Sequence, residues 1–158
     1  MLKTTSQFLR YSLYPSKQAL RLRLAPLHAY MLASLTVALT ITLLDYVVLT
    51  PDFFWPMWIF LHGFAIFFFY MGFVALSALI VQLATRWRMK KSWPYRQAWP
   101  YSVAMTIIPV LLLITVYHAV PSLTWIGFLV ALAYLIVPLR YIPVKSKSLN
   151  KPGNARVR

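Results

Sequence analysis

The sequence predicts an all-α integral membrane protein in which four transmembrane helices form two hairpins, preceded by an amphipathic segment at the membrane interface. Three observations predict it. No Lys or Arg occurs from Leu24 to Thr85 or from Gln97 to Leu139, and each gap is long enough for two helical crossings of ~20 residues. Five of the sixteen basic residues precede the first gap, five lie between the gaps and six follow the second, so each gap leaves and re-enters the same side. Hydrophobic residues make up 61% of the chain and the mean hydropathy is +0.68, well above the ~45–50% apolar share of an ordinary soluble domain.

Residues 1–26 form the interfacial segment. Phe8, Leu9, Leu13, Leu20, Leu22 and Leu24 alternate with Lys3, Arg10, Lys17, Arg21 and Arg23, a pattern that can lie in the headgroup plane with its basic side chains toward water and lipid phosphate. Pro15 divides it into two short helices, with Ser16 placed to cap the second. No small-residue cleavage site follows the first apolar stretch, and that stretch exceeds the length of a signal-peptide core.

The membrane domain covers residues 27–141. The first span runs from about 27 to 49 and closes at Thr50-Pro51-Asp52, where Pro and Asp favour a turn. The second, about 57–85, exceeds the ~30 Å hydrocarbon core and must tilt or protrude. The third, about 99–120, carries Pro109, which removes an i→i−4 hydrogen bond and should bend the helix. The fourth, about 123–141, has Pro138 near its inner end. Phe53, Phe54, Trp55 and Trp58 mark one boundary and Trp87, Trp93, Tyr95 and Trp99 the other, where amphipathic rings prefer to sit. The positive-inside rule then assigns both termini and the central loop to the cytoplasm. Residues 142–158, basic and with little apolar surface to bury, read as a disordered cytoplasmic tail.

Two short segments echo each other. Tyr14-Pro15-Ser16-Lys17-Gln18-Ala19-Leu20 and Trp93-Pro94-Tyr95-Arg96-Gln97-Ala98-Trp99 share the order aromatic, Pro, any, basic, Gln, Ala, large apolar. Each stands before a hairpin. A duplicated unit explains the match, and so does the shared interfacial chemistry of any hairpin that enters from the basic side.

The stretch Ser12-Leu13-Tyr14-Pro15-Ser16-Lys17, the basic residues after it and Tyr95-Arg96-Gln97-Ala98-Trp99 at the opening of a span resemble a bacterial membrane-protein family, domain-of-unknown-function family 1189, some of whose members carry the label maltodextrin utilisation protein, with a distant similarity to Yip-type membrane proteins. The family has no established activity. The resemblance implies a multi-span protein of the bacterial cell membrane.

Composition excludes several chemistries. There is no Cys, which removes thiolate zinc sites, iron–sulfur clusters and disulfide exchange, and the only carboxylates are Asp45 and Asp52. Paired-carboxylate acid/base chemistry and carboxylate cages for magnesium or calcium need more than this. The chain is therefore read as non-enzymatic, with no cofactor or metal.

Within the spans, Asp45, His62 and His118 should lie at similar depth, one helical turn or two inside the turn-side boundary. Burying an ionisable group is costly, which makes each a functional candidate. They fit polar anchors reaching for headgroups, a proton-sensitive cluster, or, most remotely, two haem-ligating histidines. His28 reads as interfacial. Ser34, Ala38, Thr42 and Asp45 form one stripe at i, i+4, i+8 and i+11. With Gly72, Ala75, Ala78 and Gln82 on the second span and Gly127, Ala131 and Tyr134 on the fourth, they are candidate packing faces where small residues let helices approach and hydroxyl and amide groups bond between them. Arg86, Arg88, Lys90, Lys91 and Arg96 form a basic loop suited to anionic lipid, worth ~1 kcal/mol per well-placed cation, or to a protein partner; the same charges also suffice to set topology. Nucleic acid is not an expected partner, because the cluster abuts a span and has no fold around it to read bases. The expected activity is binding: an accessory, regulatory or scaffolding membrane protein. The alternative is a small oligomeric transporter or lipid-moving protein lined by the stripe ending at Asp45.

Overall fold

The computed structural model describes residues 8, 10–52, 54–89 and 92–142 of the 158-residue chain. Lys3, Leu9, Phe53, Lys90, Lys91 and the tail from 143 onward lie outside the described residues. Among those described there is no strand, and four helical segments are long and apolar enough to cross a membrane. They are α1 (Leu27–Leu49), α2 (Trp55–Met89), α3 (Tyr95–Ala119) and α4 (Thr124–Ile136), the last lengthened by short 3-10 helices at Pro121–Leu123 and Val137–Tyr141. Two antiparallel hairpins place the described residues of the basic clusters at one end of the bundle, the basic end, and the two short connections at the other, the turn end.

Helix α1 follows Pro26 and stops at Thr50, whose φ of 40° is left-handed. A β-branched residue is strained there, but Pro51 bars an α conformation at the residue before it, and the Thr50 N–H still bonds the Tyr46 carbonyl at 3.0 Å. The boundaries of α2 are wider than expected. Pro56 is tolerated in a first turn, so the helix starts at Trp55, and it continues through Arg86 and Arg88 to Met89, 35 residues or about 52 Å. Similarly α3 begins at Tyr95, because the Pro94 carbonyl accepts the N–H groups of Gln97 and Ala98 at 2.8 and 3.2 Å. The fourth span departs most from the expected single run. Pro138 has no N–H and crowds the carbonyl of residue 134, so the chain tightens into a 3-10 helix from Val137.

The core centres on α3, which α1, α2 and α4 surround. Seven consecutive residues, Tyr101 to Ile107, are buried on every side. The Tyr101 hydroxyl donates to the Leu135 carbonyl on α4 at 2.9 Å, and the Tyr70 hydroxyl of α2 meets Thr106 Oγ1 at 3.2 Å. Where no water is at hand, such groups must find partners in protein.

The described part of the N-terminal segment packs against the bundle. Lys17–Leu24 is an eight-residue 3-10 helix, in which residues three apart eclipse. Ala19 and Leu22 therefore share one side, and both are buried against α3 and the Val137–Tyr141 helix, while Lys17, Gln18 and Arg21 face outward. Of the apolar residues expected at the headgroups, Phe8 and Leu22 meet protein instead, while Leu13 and Leu24 stay exposed. Ser16 holds the cap position, but its side chain makes no capping bond. In the second copy of the echoed segment Ala98 is likewise fully buried, yet that copy runs directly into α3 with no separate interfacial helix.

Candidate functional site: a histidine–aspartate–histidine cluster

Asp45, His62 and His118 come together at the turn end, each from a different helix. Asp45 lies one turn before the end of α1, His62 two turns into α2 and His118 in the last turn of α3. Asp45 Oδ2 is 2.7 Å from His62 Nε2, and Oδ1 is 2.7 Å from His118 Nε2. One carboxylate thus bridges two imidazoles, one oxygen to each. Both distances are at the short end for N–H···O and typical of charge-assisted bonds. An ionised carboxylate only accepts, so both Nε2 atoms donate and the tautomer of each ring follows from its contact. Side-chain exposure is 10% for Asp45, 23% for His62 and 18% for His118.

Neighbouring residues fix this geometry. Trp58, one turn before His62, stacks on its ring with centroids 4.5 Å apart and planes 13° from parallel, the arrangement that i, i+4 spacing allows. Tyr117 stands edge-on to His118 at 5.4 Å. Gly63 lets α1 and α2 approach: a Cβ there would sit 3.2 Å from Thr42 Oγ1. Sequence reasoning passed over Gly63, whose only signal is a small residue next to an intramembrane histidine.

Each contact to Asp45 needs only the Nε2–H of its imidazole, which leaves both Nδ1 atoms outside the bridge. Among the described residues no three His, Asp or Glu are arranged to hold a metal ion, and no hydroxyl is bonded to either imidazole. Trp58 Nε1 is buried beside the cluster with no acceptor among the described residues.

The structure sorts the other expected residues. Ser34, Ala38 and Thr42 are buried with Asp45 along the inner face of α1, but the two hydroxyls donate to their own helix, to the Tyr30 and Ala38 carbonyls at 2.8 Å each, and not across to a neighbour. On α4 Gly127 packs so closely that a Cβ would come within 3.1 Å of the Leu113 Cα, and Ala131 is buried. Gly72 and Ala75 must be corrected. A Cβ on Gly72 would meet nothing within 4 Å, and both residues border an open apolar groove with Phe69 and Leu76; the face of α2 that packs carries Tyr70, Val74, Ser77, Ala78 and Val81.

The basic end is corrected at Arg88. Its Nε donates to the Ile142 carbonyl at 3.0 Å and its Nη2 to the Arg140 carbonyl, so it closes the C-terminal end of the last 3-10 helix instead of facing lipid. Arg86 and Arg96 are exposed, as is His28. The loop after α2 is tied by groups that sequence did not single out together. Gln82 donates to the Trp93 carbonyl at 3.0 Å, and the Trp93 N–H donates to Thr85 Oγ1 at 3.1 Å.

No protein-family model, curated protein or solved structure matches the chain.

Proposed function

We propose that this chain is a non-enzymatic, multi-pass component of a bacterial cell membrane that acts by binding, as an accessory, regulatory or scaffolding subunit. Its basic end faces the cytoplasm and meets anionic lipid or a membrane partner. The observation that supports this reading is uncompensated charge. Asp45 is taken by two histidines at the far end, Asp52 stands in the far turn, and among the described residues no Lys or Arg has an acidic partner. Charge left open at a membrane surface is attracted to anionic headgroups. The resemblance carried by residues 12–17 and 95–99 is in keeping with a multi-span plasma-membrane protein.

One observation favours a second reading. A carboxylate bridging two imidazoles inside the spans is the kind of group that ion-coupled transporters place along a path, which supports a small oligomeric transporter or lipid-moving protein. Purification in mild detergent, with identification of co-purifying lipids and proteins, separates the two. Enrichment of phosphatidylglycerol or cardiolipin, or a stoichiometric membrane partner, is expected; a sharp homo-oligomer with neither would favour transport.

A further inference from the structure

We infer that a cavity at the basic end, between the end of the Lys17–Leu24 helix and the first turns of α1 and α3, is a site for a phosphate group, in the first instance the headgroup phosphate of an anionic phospholipid. The inference deepens the proposed function and rests on it. The cavity encloses about 390 Å³ and is lined by Arg23, Leu24, Leu27, Tyr30, Arg96 and Gln97 among others, a volume within the range of small-molecule sites.

Its lining has the chemistry that receives an anion. Arg23 and Arg96 present guanidinium forks that match phosphate oxygens in pairs. Neither has a hydrogen-bond acceptor or acidic partner among the described residues. Arg23 is held from behind: its guanidinium carbon lies 5.0 Å from the centre of the Trp93 ring, which is itself buried, so the fork is oriented without its donors being used. The Tyr30 hydroxyl and Gln97 amide, also unbonded among the described residues, add neutral donors. Both bounding spans begin here, and the partial positive charge of their first turns adds in the same sense. The only two carboxylates in the chain stand at the opposite end, so nothing acidic competes.

Depth distinguishes a lipid from a free ion. Leu24 and Leu27, exposed at 69% and 65%, flank the same cavity where the first span enters the bilayer. A phosphate on the arginines would have apolar surface next to it, the distribution of a phospholipid and not of inorganic phosphate.

The test uses the full chain in detergent and native mass spectrometry of bound dioctanoyl phosphatidylglycerol, dioctanoyl phosphatidylcholine and inorganic phosphate. Wild type should retain phosphatidylglycerol over phosphatidylcholine. Arg23→Gln/Arg96→Gln should weaken that retention about tenfold or more, and the control Arg86→Gln/Arg140→Gln, equal in charge, by no more than about threefold. Arg96→Gln alone, at an exposed residue with no bonds to lose, should show part of the loss and guards against a folding defect. Failure of phosphate to displace the lipid identifies the lipid as ligand. Phosphate that binds wild type, displaces lipid and ignores the Arg23/Arg96 variant keeps the site and makes the free ion its ligand. Equal weakening in the two double variants overturns the site while leaving the broader reading of the basic end intact. A wild type that prefers neither phosphatidylglycerol nor phosphate overturns both.

Discussion

The two ends of the bundle use polar side chains in opposite ways. At the basic end, Arg88, Gln82, Thr85 and Tyr101 all reach backbone groups of another element or of the loop; each satisfies a carbonyl or N–H that would otherwise be left open where helices end. At the turn end, Asp45, His62 and His118 bond side chain to side chain and leave the backbone to itself. The first kind of contact fastens chain to chain. The second joins three helices through one carboxylate.

That contrast can be broken by substitution. The largest effect is expected from Asp45→Ala, which leaves two imidazoles facing each other with no acceptor. Removing one partner of a buried pair costs about 3–5 kcal/mol, and the partial exposure of both rings puts this case near the lower figure. Thermal unfolding in detergent should show it as a large drop in midpoint, whereas Asp45→Asn, which keeps one acceptor oxygen, should lose less. Next comes Arg88→Gln at the other end, at about 1.5–3 kcal/mol for bonds from a charged donor. Its signature is local: proteolysis should become faster after residue 136, with the turn end unaffected.

The third effect is a difference between two glycines. Gly63→Ala adds a methyl against Thr42, and Gly72→Ala adds one to open space. Both gain helix propensity, so Gly72→Ala should be the more stable of the two by about 1 kcal/mol. Equal midpoints would mean that α1 and α2 do not touch at Gly63. The smallest effect is a gain: Ser102 Oγ is buried in α3 without a partner among the described residues, and Ser102→Ala should be neutral or stabilising by up to about 1 kcal/mol.

These residues also show what a sequence makes legible. Asp45, His62 and His118 stand out because any ionisable group is conspicuous in an apolar span, and counting from the turns placed them at one depth. Whether they meet depends on how each helix is rotated about its axis, which depth does not determine. The same gap hid the difference between Gly63 and Gly72. The four spans were readable because charge and hydropathy are summed along the chain, but the 3-10 ending at Pro138 is set by one missing N–H. Sequence leaves Arg88 looking like a lipid-facing cation because its carbonyl partners lie 52 and 54 residues away.

The central claim, that one carboxylate holds two imidazoles, is most directly tested by nitrogen NMR of protein labelled in its three histidines. Exposed His28 supplies an internal reference. His62 and His118 should each show a proton on Nε2 that exchanges slowly with water, and Asp45→Asn should shift both sets of signals together while leaving His28 in place. If Asp45→Asn moves neither histidine, or only one, the carboxylate does not bridge them and the cluster is not as described.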